Sequence, residues 1–278
     1  MFDWKGVDGR VMGVINVTPD SFSDGGRYLD PDSAIAHGLE LAAEGAAMLD
    51  VGGASSRPGA APVDPAEEAR RVVPVIRGLA DETAVPISVD TMSAQVAEAA
   101  LDAGAVVVND VSAGRLDPTI LDVTAAGGAG YVAVHMQGEP RTMQDDPRYD
   151  DVVGEVGEFL RRRLEAASAA GIRDAALMAD PGIGFGKTID HNLELLARLR
   201  ELVEQVHAPL LIGTSRKTFI GRILGVDDPE RRDDGTLATV VWSLDRGAAM
   251  VRVHDVRRAV QVAKVLAALA RVSPAVRA

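Results

Sequence analysis

The chain has 278 residues, no cysteine and a formal net charge of −12 at neutral pH. The missing cysteines exclude disulfides, thiolate metal sites and a cysteine nucleophile, and the acidic balance argues against a nucleic-acid partner, because a polyphosphate backbone binds a basic face. No stretch approaches 18 consecutive apolar residues and the N-terminus lacks a signal-peptide core, so we expect a cytoplasmic protein without membrane spans.

Short aliphatic runs alternate with amphipathic stretches along the whole chain. Each run has five to seven residues, which is a typical strand length. The eight predicted strands cover residues 11–17, 48–53, 86–91, 106–111, 131–136, 177–181, 209–214 and 250–254. Between them lie helical patterns with one apolar stripe, for example over residues 152–167 and 193–206.

Strict alternation of eight strands with helices implies a parallel sheet, and eight is the number of strands that closes the common barrel. We therefore predict an α/β fold, a single-domain (β/α)8 TIM barrel over residues 1–278. A doubly wound open sheet is the alternative, but no Gly-x-Gly-x-x-Gly follows the first strand. Gly45, Gly104 and Gly247 stand between a helix and a strand, where a left-handed glycine ends a helix. Pro65 is placed to begin a helix.

Polar residues stand at the end of every predicted strand, which is where such barrels carry their catalytic groups. In chain order these residues are Asn16, Asp50, Asp90, Asn109 with Asp110, His135, Asp180, Ser215 to Lys217, and Arg252 with His254. Several have structural alternatives. Asp90 is equally suited to capping the next helix, Asp180 precedes Pro181 as turn-starting aspartates do, and His135 is more simply a core histidine with a satisfied ring.

Two clusters of cations point to an anion site. Ser215 to Thr218 places two cations where a strand leads into a helix, and Arg252 and His254 lie on one face of the last strand. The ends of strands seven and eight are the usual phosphate corner of these barrels. Salt bridges to neighbouring aspartates are the alternative.

The remaining polar residues suit a flat heterocycle with several donor and acceptor edges. They are Asn16, Asp90, Asn109, Asp180 and Lys217. A deep carboxylate can accept paired N–H donors from an aminopyrimidine ring. No hydrolase triad and no zinc-spaced cluster is visible, although Asn16 and a bound anion could share a Mg²⁺ ion.

Read together and in order, these motifs resemble dihydropteroate synthase, a folate-pathway family, over essentially the whole chain. The matching stretches are MGVINVTPDSFSDGG from residue 12, DVGG from 50, SSRPG from 55, ISVDT from 87, NDV from 109, HMQG from 135, PRTMQ from 140, DPGIGFGK from 180, SRK from 215 and RVHD from 252. The resemblance implies condensation of 6-hydroxymethyl-7,8-dihydropterin pyrophosphate with p-aminobenzoate, releasing pyrophosphate and giving 7,8-dihydropteroate. It also implies Mg²⁺ as cofactor, a homodimer and sensitivity to sulfonamides.

The resemblance assigns roles to individual positions of this chain. It implies that the pterin ring is held by Asp90, Asn109, Asp180 and Lys217. It implies that the pyrophosphate is bound by Asn16, Arg252 and His254, with Asn16 near the Mg²⁺ ion. It places the p-aminobenzoate carboxylate at Thr218, with Ser56, Arg57, Pro58 and Phe185 nearby, and it closes the first loop over the site with Phe22 and Asp24. The residues predicted to carry catalysis are Asp90, Asp180, Lys217, Arg252 and His254.

The chain departs from the family pattern at three positions. Ala54 stands where the family usually has Glu, Ser56 replaces Thr and Thr218 replaces Ser. Two alternative functions stay open at this point: a methyltetrahydrofolate methyltransferase built on the related pterin-binding barrel, and a catalytically silent paralogue, toward which only Ala54 points.

Overall fold

The protein is described by a computed structural model over residues 1–7, 10–18, 30–55 and 62–272. Within these ranges the chain forms eight strands, namely β1 (Val11–Asn16), β2 (Met48–Gly52), β3 (Ile87–Asp90), β4 (Val107–Asp110), β5 (Gly130–Val134), β6 (Leu177–Asp180), β7 (Leu211–Ile212) and β8 (Met250–Val253). Each predicted strand is confirmed with ends that move by at most two residues.

The described α-helices follow the strands. They are α1 (Pro31–Ala43), α2 (Pro65–Glu82), α3 (Ala94–Asp102), α4 (Thr119–Ala126), α5 (Val152–Ala169), α6 (Ile189–Ala197), α7 (Leu199–Val206), α8 (Thr218–Leu224), α9 (Asp233–Asp245) and α10 (Val256–Val272). The prediction of one helix over residues 193–206 is wrong, because Arg198 leaves helical torsion angles and separates α6 from α7. Both halves bury the same side, so the apolar stripe runs through the break.

All strand pairs are parallel and the strands close into a barrel. The order is β6-β5-β4-β3-β2-β1-β8-β7, and a parallel bridge between Ala179 and Leu210 joins the two ends. The (β/α)8 barrel is therefore confirmed and the open-sheet alternative is wrong. β7 is the shortest strand, and Pro209 before it has no N–H to donate to a ladder.

Two apolar layers surround the strands. The larger lies between strands and helices, and the smaller fills the lower barrel interior with Met12, Met48, Met178 and Met250 among others. Trp4 closes the bottom, where its indole Nε1 donates to the carbonyl of Ala176 at 3.0 Å. Because apolar groups fill the end of the barrel at the amino ends of the strands, the polar side chains lie at the carboxyl ends.

The local predictions about helix ends also hold. Gly45, Gly104 and Gly247 have φ angles of 99°, 116° and 101°, in the left-handed region that favours glycine. Pro65 is the first residue of α2, whose N-cap Asp64 accepts from two backbone N–H groups. No helix within the described ranges combines the length and apolar character that a membrane crossing requires.

Candidate active site

The carboxyl ends of β6, β7 and β8 bring three of the predicted residues together around Gly213. A Cβ on Gly213 would stand 3.7 Å from Asp180 Oδ2, 3.8 Å from Arg252 Cβ and 4.0 Å from Lys217 Nζ. The absence of a side chain at this position keeps the space between the three groups open. The two cations and the carboxylate thus face one pocket at the barrel mouth.

Asp180 is buried, and Lys217 is partly buried beside it. Burial raises the pKa of Asp180, and the positive charge of Lys217 opposes that shift. Burial lowers the pKa of Lys217 to about 8, while Asp180 acts to raise it. Asp180 Oδ1 also accepts from the backbone N–H of Gly182 at 2.7 Å, so the predicted turn role is real and leaves Oδ2 for the mouth.

The loop after β6 packs against Lys217. Its ammonium donates to the carbonyl of Ile183 and lies 4.6 Å from the centroid of the Phe185 ring. A cation at this distance is attracted to an aromatic ring. The loop is in turn fastened by Lys187, which is buried and whose Nζ lies 3.0 Å from the carbonyls of Gly182 and Phe185.

Lys187 also provides the polar partner of the buried His135 ring. Its Nζ lies 2.8 Å from Nδ1 of the buried His135 ring, so the core-histidine prediction is confirmed. Burial first, then the charge of Lys187, lowers the pKa of His135 well below its usual range. Burial also lowers the pKa of Lys187 well below its usual value. The sequence places Lys187 at the end of the glycine-rich motif but does not predict this role, since a lysine after three glycines resembles a surface residue.

Arg252 lies between two carboxylates. Its Nε is 2.5 Å from Asp50 Oδ2 and its Nη2 is 2.8 Å from Asp90 Oδ2. Burial alone would lower the pKa of Arg252, but the charges of Asp50 and Asp90 raise it above the usual value. The salt-bridge alternative is therefore present at Arg252, and anion binding by this residue stays a prediction.

Asp90 does not cap the next helix. The N-cap of α3 is Ser93, whose hydroxyl accepts from Val96 N–H, and the capping alternative for Asp90 is wrong. Burial raises the pKa of Asp90 to about 7 despite the opposing charge of Arg252. Asp90 Oδ2 and Asn16 Oδ1 both lie within 4 Å of the point where a Cβ on Gly52 would stand, so β1 contributes to the same mouth.

The residues at β4, β7 and β8 complete the described part of the site. Asn109 is buried and its Nδ2 donates to Asp50 at 3.1 Å. His254 Nδ1 lies 2.9 Å from Ser215 Oγ, and Thr218 is exposed where α8 begins. Arg216, the other cation of the first cluster, pairs with Asp233 of α9 at 2.9 Å and takes a φ of 58°. This left-handed turn points Arg216 and Lys217 in different directions, and of these two cations only Lys217 enters the mouth.

Some predicted residues lie outside the described ranges, whereas two departures from the family pattern, Ala54 and Thr218, lie within them. The former are Phe22, Asp24, Ser56, Arg57 and Pro58. Ala54 lines a cavity of about 310 Å³ beside Asp90, together with the buried Glu68. Burial raises the pKa of Glu68. The alanine at position 54 therefore takes away none of the polar side chains that meet at the barrel mouth.

Asp50, just below the mouth, is a carboxylate to which the sequence assigned no role. The sequence shows it as one of the polar residues near the strand ends, within the otherwise apolar strand β2, but gives no signal of its partners. Its position becomes informative only when β2, β4 and β8 are assembled.

Comparisons with known proteins show what this chain is similar to. The family model described as "Pterin binding enzyme" matches residues 12–254. The dihydropteroate synthase of Mycobacterium leprae is 48% identical and the alignment covers 95% of each chain. The solved structure of the Yersinia pestis dihydropteroate synthase with a sulfonamide drug is 42% identical, covers 94% of each chain and has a TM-score of 0.91. The Xanthomonas albilineans dihydropteroate synthase with 4-aminobenzoic acid is 48% identical, covers 96% of this chain and 95% of that chain, and has a TM-score of 0.88.

Proposed function

The chain belongs to the dihydropteroate synthase family of pterin-binding enzymes, and on that premise we propose which of its residues carry the reaction. The chain is a transferase of folate biosynthesis that condenses 6-hydroxymethyl-7,8-dihydropterin pyrophosphate with p-aminobenzoate. The convergence of Asp180, Lys217 and Arg252 around Gly213 is the observation that supports the assignment. It puts a carboxylate and a lysine for the ring, and an arginine for the diphosphate, around one position at the barrel mouth.

In this proposal Asp180 and Asn109 recognise the edge of the pterin ring. The ring presents N–H donors, and a buried carboxylate that accepts two of them gives both orientation and affinity. Lys217 donates to the ring oxygen or nitrogen acceptors and balances the charge of Asp180. The Phe185 ring, which lies against the Lys217 ammonium, supplies an apolar face for the pterin ring.

Departure of the diphosphate is the demanding step. The bond between the methylene carbon and the diphosphate oxygen breaks, and its electron pair leaves with the diphosphate. Arg252 and His254 neutralise the growing negative charge, which is most effective where water is excluded. The carbon left behind is electron-poor, and the pterin ring delocalises its charge. Asp90 and Asp180 stabilise that cation electrostatically.

The second substrate completes the reaction without a protein nucleophile. The amine nitrogen of p-aminobenzoate attacks the methylene carbon, a C–N bond forms, and the nitrogen then loses a proton to solvent. Thr218 at the start of α8 receives the carboxylate of p-aminobenzoate, with Ser56, Arg57, Pro58 and Phe185 beside it. The first loop, with Phe22, closes over both substrates and keeps water from capturing the cation.

Magnesium fits the donors at the ends of β1 and β3. The Asn16 carboxamide oxygen is a hard ligand of the kind Mg²⁺ accepts, and Mg²⁺ commonly binds one or two protein groups together with substrate phosphates. Among the described residues no group of three His, Asp or Glu side chains forms a complete cage, so we propose that Asn16 shares the ion with the diphosphate. The bound ion would supply positive charge to the leaving group.

Removing Mg²⁺ tests this assignment. Chelation should abolish turnover and weaken the binding of inorganic pyrophosphate, while binding of the pterin ring alone should change by less than about two-fold. Asn16→Ala should raise the Mg²⁺ concentration needed for half-maximal activity. An unchanged Mg²⁺ requirement in Asn16→Ala would remove Asn16 from the metal site.

Turnover by the purified protein tests the function as a whole. With both substrates and Mg²⁺ present, we expect release of one pyrophosphate for each dihydropteroate formed.

Asp180→Asn and Lys217→Ala should lose pterin binding in calorimetry while keeping the circular dichroism spectrum of the folded chain. Lys264→Ala, on the exposed side of α10, is the matched control. No pyrophosphate together with tight binding of a methyl-folate would favour a methyltransferase instead, and failure to restore growth of a synthase-deficient strain would favour a silent paralogue.

Sulfonamide sensitivity and a homodimer complete the proposal. A relative has been solved with a sulfonamide drug, and these compounds mimic p-aminobenzoate, so we expect competitive inhibition against that substrate. Normal turnover without inhibition would point to the second loop, where Ala54 departs from the family pattern. The exposed apolar side chains of α10 support self-association, and the cytoplasm stays the predicted location.

A further inference from the structure

Asp50 occupies a level of the barrel just below the mouth. It is completely buried in β2, and its register partner on β3 is Ser88, which is equally buried. Because residues paired across neighbouring strands project to the same face of the sheet, both side chains enter the barrel interior. Asp50 is thus a charged group deep in the fold, and such groups are costly unless they are paired.

One oxygen of Asp50 accepts from two side chains that belong to different halves of the proposed site. Asp50 Oδ2 lies 2.5 Å from Arg252 Nε and 3.1 Å from Asn109 Nδ2. Arg252 is assigned to the diphosphate and Asn109 to the pterin ring. β4 and β8 lie two strands away from β2 on opposite sides, so Asp50 is the contact between them.

The contact with Asn109 decides which end of its carboxamide faces the substrate. An ionised carboxylate only accepts hydrogen bonds, so it selects the Nδ2 end of the amide. Asn109 Oδ1 is then left buried and without a hydrogen-bond partner. A buried oxygen in this state is stabilised by any N–H donor that reaches it, and the edge of an aminopyrimidine ring carries such donors.

The contact with Arg252 fixes the guanidinium plane. Nε donates to Asp50 and Nη2 donates to Asp90, so two carboxylates on β2 and β3 hold the side of the group that carries these two nitrogens. Within the described part of the chain no side chain or carbonyl accepts from Nη1. The guanidinium is therefore oriented before an anion arrives, which lowers the entropy lost on binding.

We infer that Asp50 is a positioning residue that couples the two subsites, because one carboxylate oxygen orients both the amide that reads the ring and the guanidinium that receives the diphosphate. The inference rests on the proposed function, since it needs both subsites. It predicts that removing the charge of Asp50 weakens ring binding and anion binding together. A residue with a role only in stability would leave both affinities of the folded protein unchanged.

The test compares Asp50→Asn with Ser88→Ala. Ser88 faces Asp50 across the sheet, is equally buried and has a hydroxyl without a hydrogen-bond partner, so it controls for a polar deletion at the same depth. Calorimetry of the full chain would use 6-hydroxymethylpterin for the ring subsite and inorganic pyrophosphate with Mg²⁺ for the anion subsite. Bonds to charged groups are worth enough to predict a loss of about ten-fold or more in both affinities for Asp50→Asn. Ser88→Ala should stay within about two-fold of the natural chain.

A double-variant cycle identifies the route of the effect. In an Asn109→Ala background, adding Asp50→Asn should change pterin affinity by less than about two-fold, because its target amide is already gone. In an Arg252→Lys background the same should hold for pyrophosphate. Additive losses in both cycles would overturn the positioning role.

Each remaining outcome also decides the matter. Unchanged affinities in folded Asp50→Asn, loss of only one affinity, or an equal loss in Ser88→Ala would overturn the inference. If Asp50→Asn does not fold, Asp50→Ser, which is smaller and keeps an acceptor, takes its place under the same criteria. Failure of the natural chain to bind either probe would instead contradict the proposed function.

Discussion

At the scale of single residues, the mouth depends on what is missing as much as on what is present. Gly213 leaves open the space between Asp180 and Lys217, and Gly52 does the same between Asn16 and Asp90. Neither glycine has the left-handed backbone that would itself require glycine. Their role is therefore one of space for a ligand and not of chain geometry.

Gly213→Ala tests this directly. The new methyl group would meet its neighbours at 3.7 Å or more, which is ordinary van der Waals contact, so the protein should fold with an unchanged melting temperature. The methyl group would occupy space between Asp180 and Lys217 that the ring needs, and we expect pterin affinity to fall by about ten-fold, roughly 1.4 kcal/mol. Gly6→Ala, with nothing within 4 Å, serves as the control. Calorimetric affinity equal to that of the natural chain would mean the ligand lies elsewhere.

The pH dependence of activity should report two partly buried groups, Asp90 and Lys217. Burial raises the pKa of Asp90 to about 7 and lowers that of Lys217 to about 8. As pH falls through 7, Asp90 takes up a proton and loses its pairing with Arg252, and as pH rises through 8, Lys217 loses the charge that pairs with Asp180. We expect kcat/KM to be bell-shaped with its maximum between these values.

The same shift in Asp90 has a consequence for stability. Its pKa in the folded chain lies above that of an unfolded aspartate, so its favourable contribution to the free energy of unfolding is complete below about pH 4 and is lost as pH rises through 7.

In Asp90→Asn the acidic limb of the activity profile should disappear from whatever activity is left. An acidic limb that persists unchanged in this variant would assign it to another group.

At the scale of elements, the loops between strands and helices carry the site, and their own interior bonds position it. The loop after β6 is an example, since buried Lys187 lies within 3.0 Å of two of its carbonyls and against His135. The same loop presents Ile183 and Phe185 to Lys217. Its order therefore reaches the mouth through direct contacts.

Lys187→Met should destabilise the protein and loosen this loop. Methionine keeps the volume but leaves buried acceptors without a donor, which costs about 1–3 kcal/mol in free energy of unfolding. Urea denaturation would measure the loss, and the KM for the pterin substrate should rise because Phe185 and Ile183 lose their support. Lys264→Met on exposed α10 should change neither quantity. A stable Lys187→Met with natural KM would show that the loop is held by its backbone alone.

At the scale of the whole molecule, the barrel leaves apolar side chains on its outer surface. Val265 and Leu269 on α10 are more than half exposed, whereas their neighbours Val260, Val262 and Leu266 pack on the core. The aliphatic stripe of this helix thus divides into a packed part and an exposed part. The exposed part is the surface that a second copy would cover.

We expect sedimentation to show a dimer at micromolar concentration. The double variant Val265→Glu, Leu269→Glu should shift it toward the monomer, because the buried charges of the two glutamates would oppose association. Activity per chain should stay within about two-fold, since both residues lie on the helix after β8 and not at the mouth. A natural chain that sediments as a monomer would contradict the dimer, and a variant that stays dimeric would move the interface to another face.

The sequence by itself determined the architecture and most of the polar residues that the structure brings together at the barrel mouth. Aliphatic runs at regular spacing specify eight strands because buried parallel strands need apolar residues on both faces, and polar residues concentrate at the ends where the apolar core stops. Asp90, Asn109, Asp180 and Arg252 could be selected from this pattern, since each stands at such an end. The break at Arg198 could not, because the apolar stripe continues across it.

Only the tertiary structure decided how these residues are paired. Asp50 contacts Asn109 and Arg252, which are 59 and 202 residues away along the chain, and no local pattern encodes contacts across the barrel. The structure also turns Arg216 toward α9 and Lys217 into the mouth, although the two are adjacent and chemically alike. The reason is physical: local sequence sets which side chains stand at the strand ends, but closure of the barrel sets the distances between strands that are remote in sequence.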